Sequence, residues 1–330
     1  MATSSTAYLA NHQIIKVNTM QITQLPIFFE HIQQQLPRCQ NEMRRLFHGR
    51  GQTWSGLEQI TADWIGQQLI VTLFKPVEED FHEQLTQGLL QLFQSEEWQS
   101  VSGIGIGLQH RYQHGAPFEV IAGEIHEHTI GVENGLQYQL VLGKNQNMGL
   151  FLDMRLGRQW VQEHAQGKRV LNLFSYTCGF SVAAMAGGAH KVLNVDMAKG
   201  ALSRGRENHR LNQHDLYDVN FLGHDIFRSW GKITKFGPYD LVIIDPPSFQ
   251  KGSFALTKDY KKILRRLPSL LNEGGEVLAC VNSPVVSEDF LIDSMAEEAP
   301  ELTFIERLAN PEEFADIDEQ ASLKVMVFHS

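Results

Sequence analysis

Cysteine is scarce: Cys39, Cys178 and Cys280 are the only three in 330 residues, too far apart for a CxxC metal pattern or a disulfide framework. No apolar run approaches the ~20 residues that cross a bilayer. The first ten residues lack the basic start and apolar stretch of a secretory leader. These absences predict a reduced, cytoplasmic protein with no membrane partner. Proline is sparse too, 11 residues against 27 glycines, which excludes collagen-like and low-complexity chains. A G-x-G-x-x-G fingerprint, a P-loop and a G-x-S-x-G elbow are all missing, so dinucleotide, NTPase and serine-hydrolase readings lose their main support. His126 and His128 have no third ligand at metal spacing, and no metal centre is expected.

What is present suits an ordinary soluble protein, 42% hydrophobic and 20% charged, long enough for two domains. The net charge of −10 is concentrated: residues 286–320 hold 12 acids and one base, and outside them 26 acids face 27 bases. A solvated acidic face is expected there, and whole-chain charge excludes no partner. From residue 170 onward, short apolar runs (170–174, 191–196, 239–245, 276–281) alternate with helical segments. The helices are expected over 179–187, 198–212 and 256–271, the last stopping at Asn272-Glu-Gly-Gly275. This alternation predicts an α/β fold with a parallel, doubly wound sheet. The first 150 residues read as a smaller α+β region with strands within 62–74, 100–108, 118–122 and 137–142, and loops at 94–99 and 110–117. The chain thus divides into an extension (1–40), an α+β domain with an RNA-binding option (41–148) and the doubly wound domain (149–330).

Open α/β sheets bind ligands at the carboxyl ends of their strands. The first strand-to-helix turn, Phe174-Ser-Tyr-Thr-Cys-Gly179, is small and polar and lacks a nest for phosphates. It suits a phosphate-free cofactor such as S-adenosylmethionine, or is an ordinary turn. Asp196 ends the second strand, where a carboxylate accepts from ribose hydroxyls or simply caps a helix. Asp225 in Gly223-His-Asp-Ile-Phe227 is placed to meet an adenine amino group, or forms a turn. Asp245-Pro-Pro-Ser-Phe249 closes the fourth strand; its prolines fix an extended backbone and remove two N–H donors beside an aromatic. The small polar turn, Asp196 and Asp225, in order on three consecutive strands, strengthen the nucleoside reading beyond any one of them.

These residues resemble the bacterial large-subunit ribosomal RNA base methyltransferases that make 5-methylcytosine or 7-methylguanosine with S-adenosylmethionine. The matching stretches are Arg45-Leu-Phe-His-Gly-Arg-Gly51, Glu133-Asn-Gly135, Gly149-Leu-Phe-Leu-Asp-Met-Arg155, Leu171-Asn-Leu-Phe-Ser-Tyr-Thr-Cys-Gly-Phe180, Val195-Asp-Met197 and Asp245-Pro-Pro-Ser-Phe249. The resemblance implies a seven-stranded, Rossmann-like methyltransferase sheet preceded by a smaller α+β domain. It implies cofactor contacts from Phe174, Ser175, Tyr176, Cys178, Gly179, Asp196, Met197, Asp225, Ile226 and Arg155. Acceptor chemistry is expected at Asp245, Pro246, Pro247, Ser248, Phe249 and Asn282. The expected partner is RNA, ribosomal or a large-subunit precursor, with a homodimer among the open oligomeric states.

One departure bears on mechanism. The 5-methylcytosine members use a cysteine after the fifth strand, because cytosine C5 requires covalent attack at C6. Here Ala279-Cys-Val-Asn-Ser-Pro284 puts Asn282 at that place, with Cys280 two residues deeper along the strand. Direct transfer to a base nitrogen, with Cys280 and Cys178 structural, is the favoured reading. Basic side chains near the mouth (Lys251, Lys258 and Lys262, with Arg45 and Arg50 from a second cluster) are candidates for RNA contact. The alternatives are a non-catalytic RNA-binding relative and a small-molecule methyltransferase.

Overall fold

The computed structural model describes residues 20–39, 41–247, 249–250 and 254–330. Two sheets organise the chain. The first contains β1 (Arg44–His48), β2 (Ile60–Ile65), β3 (Gln68–Leu73), β4 (Gly105–His110) and β5 (Phe118–Gly123), paired in chain order. All pairs are antiparallel except β3–β4. A parallel pair needs a crossover, supplied by α2 (Glu79–Phe93) and α3 (Glu96–Ser100). The latter occupies a stretch expected to be loop. Phe81, Leu85, Leu89 and Leu92 line one side of α2 at helical spacing and are buried. Residues before 40, read from sequence as an extension, include α1 (Leu25–Gln35), whose Phe28 and Ile32 are fully buried in the same core.

A hairpin of β6 (His128–Glu133) and β7 (Leu136–Val141) follows. Asn134 and Gly135 at its turn both have positive φ (51° and 76°), the requirement of a tight primed turn.

The second sheet has seven strands. In chain order α4 (Arg155–His164), β8 (Arg169–Leu173), α5 (Gly179–Ala186), β9 (Lys191–Val195), α6 (Lys199–Leu211) and β10 (Val219–Leu222) build one half. The other half comes from α7 (Trp230–Phe236), β11 (Tyr239–Ile244), the short pair β12 (Phe249–Gln250) and β13 (Phe254–Ala255), α8 (Leu256–Leu264) and β14 (Leu271–Val281). Then come α9 (Asp289–Glu298), β15 (Thr303–Leu308) and β16 (Lys324–His329). The strand order is β10-β9-β8-β11-β14-β16-β15, with β16 alone reversed. Chain direction across the sheet switches between β8 and β11, so a crevice opens at their carboxyl ends.

Two expectations need correction. The helix expected to run to residue 271 ends at Leu264, and Asn272-Glu-Gly-Gly275 lies inside β14. The Asn272 side chain donates to Asp240 Oδ1 at 2.6 Å, and Gly274 takes φ 73° in a bulged stretch where the register to β11 shifts. The acidic C-terminal stretch is also not simply a solvated face. Glu298 holds Arg265, just past α8, in a two-toothed pair at 2.7 Å, Glu297 takes Lys261, and Glu288 meets Arg307 at 3.0 Å. Among the described residues no helix is long and apolar enough to cross a membrane.

The β6–β7 hairpin meets the larger sheet through α6. Asn208 Oδ1 accepts from Gln139 N–H at 2.8 Å and Asn212 Oδ1 from Gln137 N–H at 2.9 Å, while Asn212 Nδ2 returns a bond to Gln137 C=O. Side-chain amides one helical turn apart thereby pair the otherwise open edge of β7. The Asn208 amide also donates to Thr177 C=O at 2.9 Å, in the turn after β8. Asn208→Ala leaves a donor and an acceptor unpaired in a buried place, and should cost about 2–4 kcal/mol of unfolding free energy by denaturant titration. Unchanged stability would mean water takes over both bonds.

Candidate active site

A cavity of about 720 Å³ lies at the carboxyl ends of β8, β9 and β11. The turn after β8 forms its floor. Phe174, Tyr176 and Cys178 alternate through this turn with φ of 56°, 47° and 64°, a left-handed conformation that side chains disfavour. The folded backbone is tied down by Ser175 N–H to Val195 C=O and Cys178 N–H to Ser175 C=O. Thr177 Oγ1 also donates to the carbonyl of Gly149. Behind the turn, Cys178 Sγ packs so closely on Gly205 of α6 that a Cβ there would lie 2.4 Å from the sulfur.

Asp196 follows β9. Its two carboxylate oxygens accept from Tyr176 N–H (2.8 Å) and Ala198 N–H (2.7 Å), which fixes its orientation at the cavity wall. Asp225 caps a short helical turn through Phe227 N–H at 2.8 Å, and with Ile226 and Phe227 closes one end of the cavity. For both acids the capping role and the cavity role coexist.

Asp245, Pro246 and Pro247 also line the cavity, as do Asp153 and Arg158, whose charges act on Asp245. Burial, reinforced by the neighbouring Asp153 charge and opposed by Arg158, pushes the Asp245 carboxyl up to about 7. Asp153 is raised by burial as well, with Arg45 and Arg158 pulling it down. Arg158 donates to both oxygens of Glu133 at 2.6 and 2.8 Å and to Phe151 C=O at 2.8 Å, and the side chains of the pair are only 4% and 1% exposed.

Of the residues singled out from sequence, Phe174, Ser175, Tyr176, Gly179, Asp196, Met197, Asp225, Ile226, Asp245, Pro246, Pro247 and Asn282 line this one cavity. Cys178 does not; it is buried behind the turn. Arg155 does not either: it pairs with Glu42 at 2.8 Å and Met43 C=O at 3.2 Å, anchoring α4 to the first sheet. Cys280 is fully buried, its thiol held well above the ordinary range first by burial and then by the charge of Asp245. Ser248 and Lys251 lie outside the described residues, and Phe249 opens β12.

Most of the basic candidates are engaged within the fold. Arg45 forms a two-toothed pair with Asp63 (2.7 and 3.0 Å) and stacks on Phe314, and Arg50 bonds Gln59 and covers the Phe74 ring. Lys262 pairs with Asp259 at 2.7 Å, while Lys258 is exposed. Sequence reasoning gave no role to Asp153, Asn147 and Phe151, all on the cavity wall, and took Arg158, which also lines it, as part of a basic cluster for RNA contact. The Gly149–Arg155 stretch was the available signal for two of them.

A family model described as S-adenosylmethionine-dependent methyltransferase matches residues 44–329. A Bacillus subtilis (strain 168) protein provisionally named ribosomal RNA large subunit methyltransferase YwbD is 35% identical over 196 residues, 56% of this chain and 49% of its own length. Ribosomal RNA large subunit methyltransferase I of Aeromonas salmonicida (strain A449) is 30% identical over 253 residues, 74% of this chain and 62% of the relative. The chain therefore spans about half to two thirds of the length of these relatives. Among solved structures, one provisionally described as a methyltransferase and complexed with SAH superposes with a TM-score of 0.80 at 25% identity, covering 93% of this chain and 82% of the other.

Two outcomes follow from the geometry. Gly205→Ala should destabilise the fold by about 1–3 kcal/mol, as overpacking does. Adding Cys178→Gly, which removes the opposing sulfur and suits φ 64°, should recover most of the loss. A double-mutant cycle in denaturant without coupling would refute the contact. For Asp245, a raised folded pKa means the native state holds a proton the unfolded chain has released. Its contribution is present below about pH 4 and is lost as pH rises through about 7. Asp245→Asn should flatten that slope and melt above the parent protein at pH 8.

Proposed function

Because the chain belongs to the S-adenosylmethionine-dependent methyltransferases, we propose that it methylates a base of large-subunit ribosomal RNA by direct transfer, using the cavity for both cofactor and acceptor. The observation that carries the direct route is the absence of a thiol on the cavity wall. All three cysteines are described and buried, and Asn282 lines the wall where a nucleophile would stand.

The donor set fits the cofactor. A cavity of about 720 Å³ is ample for a nucleoside with an amino-acid tail. Asp196, already oriented by two backbone N–H bonds, is the ribose acceptor in this reading. Asp225 and Ile226 serve the adenine end, and the left-handed turn of Phe174 to Gly179 brings backbone against the ligand. The chemistry supplied there is an electrophilic methyl group. Asp245 and Pro246–Pro247 orient the acceptor: a carboxyl poised near neutrality can donate to or accept from the polar edge of a base, and positioning is the main requirement for direct transfer. Division of labour near Gly149, with the first sheet as an RNA platform, belongs to the same proposal, as does residence in the cytoplasm with the ribosome.

The tests separate these parts. Asp196→Ala should weaken S-adenosylmethionine binding at least tenfold by calorimetry, since two charge-assisted bonds are lost; unchanged affinity would remove the cofactor assignment. Cys280→Ala should retain transfer, whereas a denaturant-stable adduct with 5-fluorocytosine RNA that disappears in that variant would establish the covalent route. Mass spectrometry of ribosomal RNA nucleosides from a deletion strain, with complementation, identifies the modified base. Cofactor binding with no methyl lost from any ribosomal nucleoside would favour the non-catalytic or small-molecule alternatives.

A further inference from the structure

Outside the cavity lining, three ligand-type side chains converge from two strands of the first sheet and the helix that connects its parallel pair. His110 ends β4, Glu119 lies on β5 and His82 sits in the first turn of α2. Leu108 is opposite Glu119 in the β4–β5 register, so the period of two puts His110 and Glu119 on one face. His110 Nε2 and Glu119 Oε1 share a hydrogen bond, His82 Nε2 lies 3.7 Å from the same oxygen, and the three donor atoms are all within 4.8 Å of one another. The two imidazoles stack with centroids 5.6 Å apart.

We propose that His82, His110 and Glu119 bind a single divalent transition-metal ion of the zinc type, which would clip the start of α2 to the β4–β5 hairpin. Two imidazoles and one carboxylate are a donor set for zinc, and the all-oxygen preference of magnesium and calcium disfavours them here. Three protein ligands leave a fourth position, and the half-exposed Glu119 leaves it open to water. His110 is buried, and its second nitrogen lies 3.4 Å from Tyr112 Oη, itself the acceptor of a bond from Gln113 at 3.1 Å. This oxygen partner restrains the ring's orientation, and the phenol oxygen can accept from Nδ1–H when Nε2 binds a metal. In the metal-bound form the ion replaces the hydrogen shared by His110 and Glu119. The His126–His128 stretch offers no such convergence, its two imidazoles being exposed, one before β6 and one at its first residue.

The test is calorimetric titration of Zn²⁺ alone into the full chain in a non-chelating buffer, with a parallel thermal melt. One equivalent should bind in the micromolar range and raise the melting temperature by roughly 3–8 °C at a hundredfold excess over Kd. Affinity should fall roughly 10–100-fold in both His82→Ala and Glu119→Gln, which replace partly exposed side chains and should keep the parent's far-UV circular dichroism. His126→Ala should bind as the parent does, and Mg²⁺ should give neither heat nor shift. No saturable binding up to about 100 μM, or equal binding in the parent and both variants, overturns the site.

Discussion

The ion pair between Arg158 and Glu133 is the constraint around which the rest is arranged. It joins the β6–β7 hairpin to α4, it is almost wholly removed from water, and its guanidinium also holds the carbonyl of Phe151 at the cavity edge. Removing one partner of such a pair typically costs 3–5 kcal/mol, because the other charge is left buried. Its position has a second effect. Arg158 is a cation that offsets both Asp153 and Asp245, so the same side chain that fastens the hairpin to α4 also limits how far the cavity carboxyls depart from ordinary behaviour. One turn away, Arg155 repeats the device with Glu42, whose carboxylate also receives the backbone N–H groups of Asn134 and Gly135 in the hairpin turn. The hairpin is thus clamped at its tip by Arg158 and by the Arg155-held Glu42, and along its edge by two asparagines.

Behind the cavity floor runs a buried polar chain. Asn172 on β8 donates to Asn194 on β9, Asn194 to Ser181 on α5, and Ser181 meets His209 of α6, which meets His214, every step between 2.9 and 3.0 Å. Burial holds the His209 imidazole down to about 3, so it stays neutral within the chain. Apart from Asn172 Oδ1, which has no partner among the described residues, the side chains of this network are bonded to one another, and such a network specifies one packing of strand, helix and turn where apolar side chains would accept several. It gives the strained turn of Phe174, Tyr176 and Cys178 a rigid base to rest on.

The order of strands and helices in the larger sheet was legible because buried parallel strands are nearly continuous apolar runs, such as Leu241 to Ile244. The acids ending those strands could be found by position alone. Cys178 and Arg155 were harder. A residue in a turn against a cavity reads the same whether it faces in or out, and Cys178 faces α6 only because its φ is positive. Arg155 and Arg158 differ by three positions on one helix, and which of them reaches the cavity depends on where Glu42 and Glu133 dock. The fate of the acidic C-terminal stretch was set by helix–helix proximity that local pattern does not encode. The Asn272–Gly275 stop was misread because the same residues that end helices also make a strand bulge.

The internal employment of arginine has a consequence for how a polyanion could be held. Each phosphate neutralised by a protein cation releases condensed counterions, and the number released sets how steeply affinity falls with added salt. Arg45, Arg155, Arg158 and Arg265 already face carboxylates of their own chain, so they contribute little to that release. An RNA bound at this cavity would draw little of its salt dependence from these four arginines, and Phe151, exposed at the rim beside Tyr176, offers a ring for stacking.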